Sequence, residues 1–251
     1  MLGSTYRNKV IALGSLFTFL LGWHGAAVLV GKEIILPTPA VTFRCLFQLI
    51  ISGGFWSHLA ATLSRGLVGF ALSYLVGLIV GLLSGLSRNF KAFFHLWLTL
   101  IRSTPTIALI LLALIWFPSD YVTLFVTFLV VFPIITQNVT EGINQVDPDL
   151  KEMARLYQVP FQTVLHRMYL PAILPYLATG AAAGLGLTWK VMIAAEAIAY
   201  TRFGIGARMD TARTYLETPE VFAWTIVVIA ISLFFDRILQ RIIEKHLLFW
   251  E

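Results

Sequence analysis

The 251 residues are 58% hydrophobic and only 12% charged, with 18 basic and 13 acidic side chains. Soluble domains carry about 25% charge, so half that figure excludes a soluble globule, and the apolar content excludes a disordered chain. The net charge of +5 needs no nucleic acid to explain it, because short cytoplasmic loops of membrane proteins collect Lys and Arg. A lone cysteine, Cys45, rules out an internal disulfide and a cysteine-based metal site.

Charge-free windows lie at 10–31, 66–87, 103–119, 121–140, 168–189 and 221–235. A bilayer-spanning helix takes about 20 mostly apolar residues, within a range of about 17–25. Five windows reach that length, and the sixth does so with Glu220 and Asp236 at the interfaces. The expected fold is an all-α membrane protein of about six transmembrane helices. It forms one domain over 1–251, with its core at about 57–240.

In chain order, Val10–Val30 is too long for a signal h-region of about 7–15 residues and reads as a retained first span. Val41–Ile51 reads as a short interfacial helix. The second span is Ser57–Leu86, where Gly77, Gly81 and Gly85 form a stripe for close helix packing, with the dimer contact one candidate. The third is Ala92–Trp116 and the fourth Tyr121–Asn138. The longest polar stretch, Val139–Tyr169, precedes a fifth span at Leu170–Ala194. Residues 195–220 form a Gly-containing loop before the sixth span, Val221–Leu239. Trp23, Trp56, Trp116 and Trp250 fall near span ends, as membrane-belt residues do.

Basic residues orient the chain. The pieces 1–9, 87–91, 139–169 and 237–251 hold ten, whereas 31–56 and 195–220 hold five. The bias places the first set, with both termini, in the cytoplasm.

Within 139–169, Asp147-Pro148-Asp149 is helix-start chemistry: a capping acid, Pro at the first position and acid in the first turn. Leu150, Met153, Ala154 and Tyr157 then form one apolar stripe. Such a stripe fits docking to a partner protein and equally fits a helix resting on lipid headgroups.

The residues of this loop resemble a family signature. Glu152-Met153-Ala154, Gln158 and Met168-Tyr169-Leu170-Pro171 reproduce the spacing of the EAA loop of ABC-importer permeases. Glu152, Ala154, Leu170 and Pro171 match it. Met153 replaces the middle Ala, and Gln158 replaces a Gly that eases a turn. Ile35–Pro39, Thr62–Arg65 with Gly69-Phe70, Arg102–Pro105, Trp189-Lys190 with Ala194–Glu196, and Phe203–Gly206 resemble, in order, segments of the nitrate/sulfonate/taurine group of these permeases.

The resemblance implies a type I importer permease fold, with a coupling loop at about 139–171. It implies a second permease subunit as partner, homo- or heterodimeric. It further implies two ATPase subunits that dock on this loop and bind ATP and Mg, and an extracytoplasmic binding protein that delivers substrate. The location would be the cytoplasmic (inner or plasma) membrane. The substrate class would be nitrate, bicarbonate, sulfonates such as taurine, or pyrimidine precursors. No phosphate loop G-x-x-x-x-G-K-[ST] occurs in the sequence, so neither catalysis nor a cofactor is expected of this chain.

Charges within spans are costly and face protein or water. Arg102, Lys190 and Glu196 are therefore candidates for a pathway suited to a small anion, and Arg65 is a fourth intramembrane charge. The alternative is pairing with one another, or with backbone freed near Pro105 and Gly186. The five histidines form no i,i+3 or i,i+4 set, so no metal site is expected. Two rival readings remain. A secondary transporter or channel would need no ATPase but typically shows internal repeats, and a membrane enzyme would need a catalytic cluster.

Overall fold

A backbone surrounded by hydrocarbon must satisfy its own hydrogen bonds, so long apolar runs become helices. The computed structural model describes residues 2–247, all of whose regular elements are helical; Trp250 lies outside them. The helices are α1 (Leu2–Val30), α2 (Pro39–Ile51), α3 (Phe55–Leu86), α4 (Arg88–Ser103), α5 (Thr106–Trp116) and α6 (Ser119–Asn144). After them come α7 (Pro148–Leu156) and α8 (Phe161–Val164), which passes through a π-helical turn at Leu165–Tyr169 into α9 (Leu170–Ala199). The last two are α10 (Ile205–Thr214) and α11 (Thr218–Leu247).

Five helices are long and apolar enough to cross a membrane, and α4 with α5 supplies a sixth crossing if the bent pair is one span. The third span is therefore not the continuous helix Ala92–Trp116 that hydropathy predicts. α4 and α5 meet at 100° across Thr104–Pro105. Proline has no N–H to donate and disfavours helical backbone at the residue before it. Thr104 accordingly sits in an extended conformation, with its N–H bonded back to Leu100 and Ile101 carbonyls.

Two other expectations change. The fourth span runs six residues past Asn138, to Asn144, so part of the polar stretch is helix. The loop at 195–220 contains α10.

α3, α6 and α9 form the core. At one end Ile110, Val122, Val126, Val191 and Ala195 pack α5, α6 and α9 together. At the other, Val131, Ile135, Val139, Ile143, Ile173 and Leu177 join α6 to α9, with Phe70 and Leu78 of α3 against them. A third cluster, Phe55, Ile205 and Trp224, ties α3 to α10 and α11. α1 lies at the periphery, held where Trp23 stacks on Phe222 at 5.7 Å and donates its indole N–H to the Pro37 carbonyl.

The glycine stripe of α3 packs within the chain, against α6, rather than at a subunit contact. A Cβ at Gly77 would come 2.6 Å from the Ile135 Cβ, and one at Gly81 would come 2.6 Å from the Val139 Cβ and 2.9 Å from the Thr136 carbonyl oxygen. Only hydrogen fits there, which is how small residues let backbones approach in lipid. Gly81→Ala should therefore destabilise the purified chain by about 1–3 kcal/mol, the usual cost of overpacking, read as a lower thermal midpoint in detergent. Gly53→Ala, where a Cβ meets nothing within 4 Å, should leave the midpoint in place.

Candidate functional site

Lys91, His95, Thr99 and Arg102 are spaced i, i+4, i+8 and i+11, so α4 carries them on one face. Pro133, Thr136, Gln137, Thr140, Glu141 and Asn144 recur at the same spacing along α6. The two faces meet across a cavity of about 220 Å³, to which Ser84 of α3 also contributes. Arg102 spans it, donating from Nη1 to the Gln137 side-chain oxygen. The Thr136 and Thr140 hydroxyls donate to the Phe132 and Thr136 carbonyls at 2.9 and 2.8 Å. The cavity offers fixed positive charge and many hydrogen-bonding groups, which suits a small polar or anionic solute.

Of the expected pathway residues, only Arg102 lines this cavity. Lys190 is exposed on α9, on a face with Thr179, Ala183 and Ala194. It lies ten residues beyond Gly180, which abuts Asn138, so it sits about 15 Å further along the helix axis than that contact. Sequence reasoning missed Lys91, His95 and the α6 face, because it put the first turn of α4 in a loop and ended the fourth span at Asn138. The four-residue repeat of polar groups was the available signal.

Glu196 is fully buried instead. Its carboxylate accepts the Thr62 hydroxyl at 2.8 Å and the Gly206 N–H at 3.0 Å, and Arg65 Nη1 stands 3.0 Å away. Thr62 in turn accepts the Ile205 N–H at 2.8 Å, and Arg65 also donates to the Phe203 carbonyl. Asp120, at the start of α6, lies 3.7 Å from Arg65. The carboxylate thus fastens α3, α9 and the Phe203–Gly206 segment together. Gly206 is required for the approach, since a Cβ there would fall 2.1 Å from the Ile193 carbonyl oxygen.

The end of the bundle opposite Glu196 carries α7. Asp147 caps it by accepting the Asp149 N–H at 2.9 Å, and Pro148 takes the first position. At its other end the Gln158 N–H bonds to the Arg155 carbonyl and the Val159 N–H to the Ala154 carbonyl. This is a Schellman closure, whose C′ residue is left-handed and usually Gly. Gln158 holds that conformation itself, at φ 49°, so the turn forms without the glycine. Pro160 follows and ends the run.

Leu150, Met153 and Tyr157 are exposed, and Leu156 joins them at 75% exposure. Ala154 turns the other way, into a cleft with Leu86 and Tyr169. Lys151 is also on the inward side, donating to the Ile143 carbonyl at 3.4 Å near the end of α6. Glu152 is exposed beside the apolar face. Leu170 and Pro171 form the start of α9.

The model of the family described as "Binding-protein-dependent transport system inner membrane component" matches residues 73–248. The chain belongs to this family. It is thus an ABC importer permease, a membrane subunit with several transmembrane helices whose ATP hydrolysis is done by separate subunits, as the loop motif implied. Relatives include the putative aliphatic sulfonates transport permease of Bacillus subtilis, 31% identical over 86% of this chain and 78% of its own. The taurine transport system permease of Escherichia coli is 30% identical over 97% and 90%. A bicarbonate transport system permease of Synechococcus elongatus is 29% identical over 96% and 93%. Among solved structures, a bacterial ABC transporter for the acidic polysaccharide alginate matches with TM-score 0.60 at 17% identity, over 94% of this chain and 96% of its own. An amino acid ABC transporter matches with TM-score 0.59 at 19% identity, over 77% and 92%. At these identities the structural likeness concerns the fold.

Gln158 is one of three left-handed non-glycine residues among the described residues, with Tyr200 and Leu216. A left-handed non-glycine residue costs about 1–2 kcal/mol, so Gln158→Gly should hold or raise the thermal midpoint of the purified subunit. The β-branched Gln158→Val should lower it by more than 1 kcal/mol equivalent, on the order of the left-handed penalty.

Proposed function

We propose that this permease imports a small anionic or polar solute of the sulfonate, taurine or bicarbonate class, driven by two ATPase subunits that bind ATP and Mg outside this chain. The observation that carries the reading is the facing of the cationic side of α4, with Lys91 and Arg102, onto the polar side of α6. Three relatives named for sulfonate, taurine and bicarbonate transport support it. In this reading the whole chain acts as one permease domain.

A second permease covers the exposed intramembrane charges. Arg102 and Lys190 are both exposed on the isolated chain, and a charge facing hydrocarbon is costly enough that protein or water must meet it. The small residues around Lys190, Ala183 and Ala194 with Gly186 between them, allow a second helix to approach closely. The pathway then runs between two subunits, from the Lys190 level to the α4–α6 cavity. Glu196 serves as a fastener beside it.

The loop 139–171 and both termini face the cytoplasm in this assignment, by the distribution of basic residues. The ATPase docks on Leu150, Met153, Leu156 and Tyr157, with Glu152 at the edge and Gln158, Leu170 and Pro171 shaping the loop behind. A binding protein delivers substrate at the opposite end. The rival of a secondary transporter is less favoured, because repeats are its usual mark and one helix pair among the described residues is broken, without a counterpart.

Docking is tested at the exposed face. Met153→Asp and Leu156→Asp each place a charge in a contact that must exclude water, a change that costs several kcal/mol when buried unpaired. Each should reduce co-purification of the ATPase at least tenfold, while the permease still inserts and pairs. Normal ATPase binding by the double variant would instead place α7 on lipid headgroups.

A further inference from the structure

We propose that the cleft behind α7 is a binding site for an anionic phospholipid, whose headgroup bridges Lys151 and Arg155 while an acyl chain covers the apolar wall. The site is separate from the α4–α6 cavity and from the outward face of α7, and it does not depend on which solute is moved.

The cleft holds about 460 Å³ and lies between the end of α3, the inner side of α7 and the turn that leads into α9. Its apolar wall includes Leu86, Phe161, Val164, Met168 and Tyr169. Leu86 and Phe161 are 39% and 62% exposed, so the wall is reached from outside rather than sealed in the core. Exposed apolar walls of this kind mark binding grooves. Lys151 and Arg155, one turn apart on α7, form the polar rim.

The depth of the cleft identifies the occupant. Leu86 is the last residue of α3, at the close of the charge-free window 66–87, and Arg88 follows. Met168 opens the window 168–189, and Arg167 precedes it. The cleft thus joins the ends of two membrane-length apolar windows to a pair of cations. That combination belongs to the boundary between hydrocarbon and headgroups, where basic pockets hold lipid phosphates. A soluble anion would use the cations and leave the apolar wall bare. A purely apolar segment would cover the wall and leave the cations unpaired. A phospholipid satisfies both.

The charge of the rim selects the headgroup. No acid lines the cleft, and the acids of α7, Asp149 and Glu152, are exposed outside it. Lys151 gives one N–H to the Ile143 carbonyl, at 3.4 Å, and retains two. Arg155 is exposed and makes no ion pair among the described residues, so its planar fork is open to a phosphate. Two cations without an acid favour a headgroup of single net negative charge, such as phosphatidylglycerol. They disfavour zwitterionic phosphatidylcholine, whose choline they repel. α7 has no buried residue of its own, and a lipid in the cleft would brace it against the ends of α3 and α9.

The test uses the permease–ATPase complex, purified in detergent and titrated with dioleoylphosphatidylglycerol or dioleoylphosphatidylcholine, with bound lipid counted by native mass spectrometry. The complex should hold one phosphatidylglycerol per copy of this chain at least tenfold more tightly than phosphatidylcholine. Arg155→Gln removes a charge that pairs with no acid among the described residues, and it should weaken that lipid about tenfold, as expected for charge-assisted hydrogen bonds. Lys151→Arg should keep the lipid. Arg241→Gln, which removes an exposed cation of α11, should leave the affinity unchanged. Phosphatidylglycerol should also raise the thermal midpoint of the wild-type complex more than that of the Arg155→Gln complex. Equal affinity for the two lipids overturns the charge selection. Unchanged phosphatidylglycerol binding in Arg155→Gln, or an equal loss in Arg241→Gln, overturns the site. Displacement of the lipid by excess inorganic phosphate makes the cleft a free-anion site and overturns the lipid assignment. Uptake of lipid only after the ATPase is removed assigns the cleft to the ATPase contact and likewise overturns it.

Discussion

A carboxylate that has lost all contact with water must find its whole shell of partners in protein, and Glu196 organises one end of this molecule by that requirement. Its partners come from α3, through Thr62 and Arg65, and from the segment entering α10, through Gly206. Glu196 itself projects from α9. Arg65 extends the arrangement to the Phe203 carbonyl and to Asp120 at the start of α6. Three core helices and the Phe203–Gly206 segment are thus registered at one point. A buried pair of this kind adds little net stability over a well-packed apolar core, yet removing one partner is strongly destabilising. Its effect is to specify one arrangement of helices that lipid, being as apolar as their side chains, does not otherwise distinguish.

The fixed scaffold and the parts proposed to meet ligands and partners are separate. α3, α6 and α9 carry most of the buried residues, whereas α4 and α7 have none that is fully buried. The polar cavity and the exposed apolar face hang on those two lightly packed helices, at the end opposite Glu196. They are physically adjacent through the end of α6. Glu141 and Asn144 line the cavity from its final turns, and Lys151 of α7 donates to Ile143 in the same stretch. A displacement of α7 by a docked ATPase would reach the cavity wall within one helical turn of α6, a short mechanical route between ATP-driven movement and the solute.

Apolar windows were enough to place the five long apolar helices, since window length and lipid chemistry leave few alternatives. The start of α7 was equally legible, because Asp147 and Pro148 are local chemistry. Relations between distant residues were not. Glu196 reads from sequence as a charge near a span end, and only folding brings Arg65 and Thr62 to it. The glycine stripe on α3 announces close packing but not the identity of the partner helix. The 100° break at Pro105 was hidden because hydropathy runs unbroken through it and proline is tolerated in many membrane helices. On α7 a nine-residue helix gives a poorly determined stripe: Ala154 and Leu156 flank Met153, and the bond from Lys151 to α6 settles which of them faces inward.

As an ABC importer permease, this chain should move solute only when ATP is hydrolysed on separate subunits. Proteoliposomes containing the permease, its ATPase and its binding protein, with radiolabelled taurine, one solute of the proposed class, outside and ATP trapped inside, measure this directly. Taurine should accumulate above the outside concentration only when both ATP and the ATPase are present. Equilibration of taurine through the permease alone, without ATPase or ATP, would contradict it and show a channel or secondary transporter.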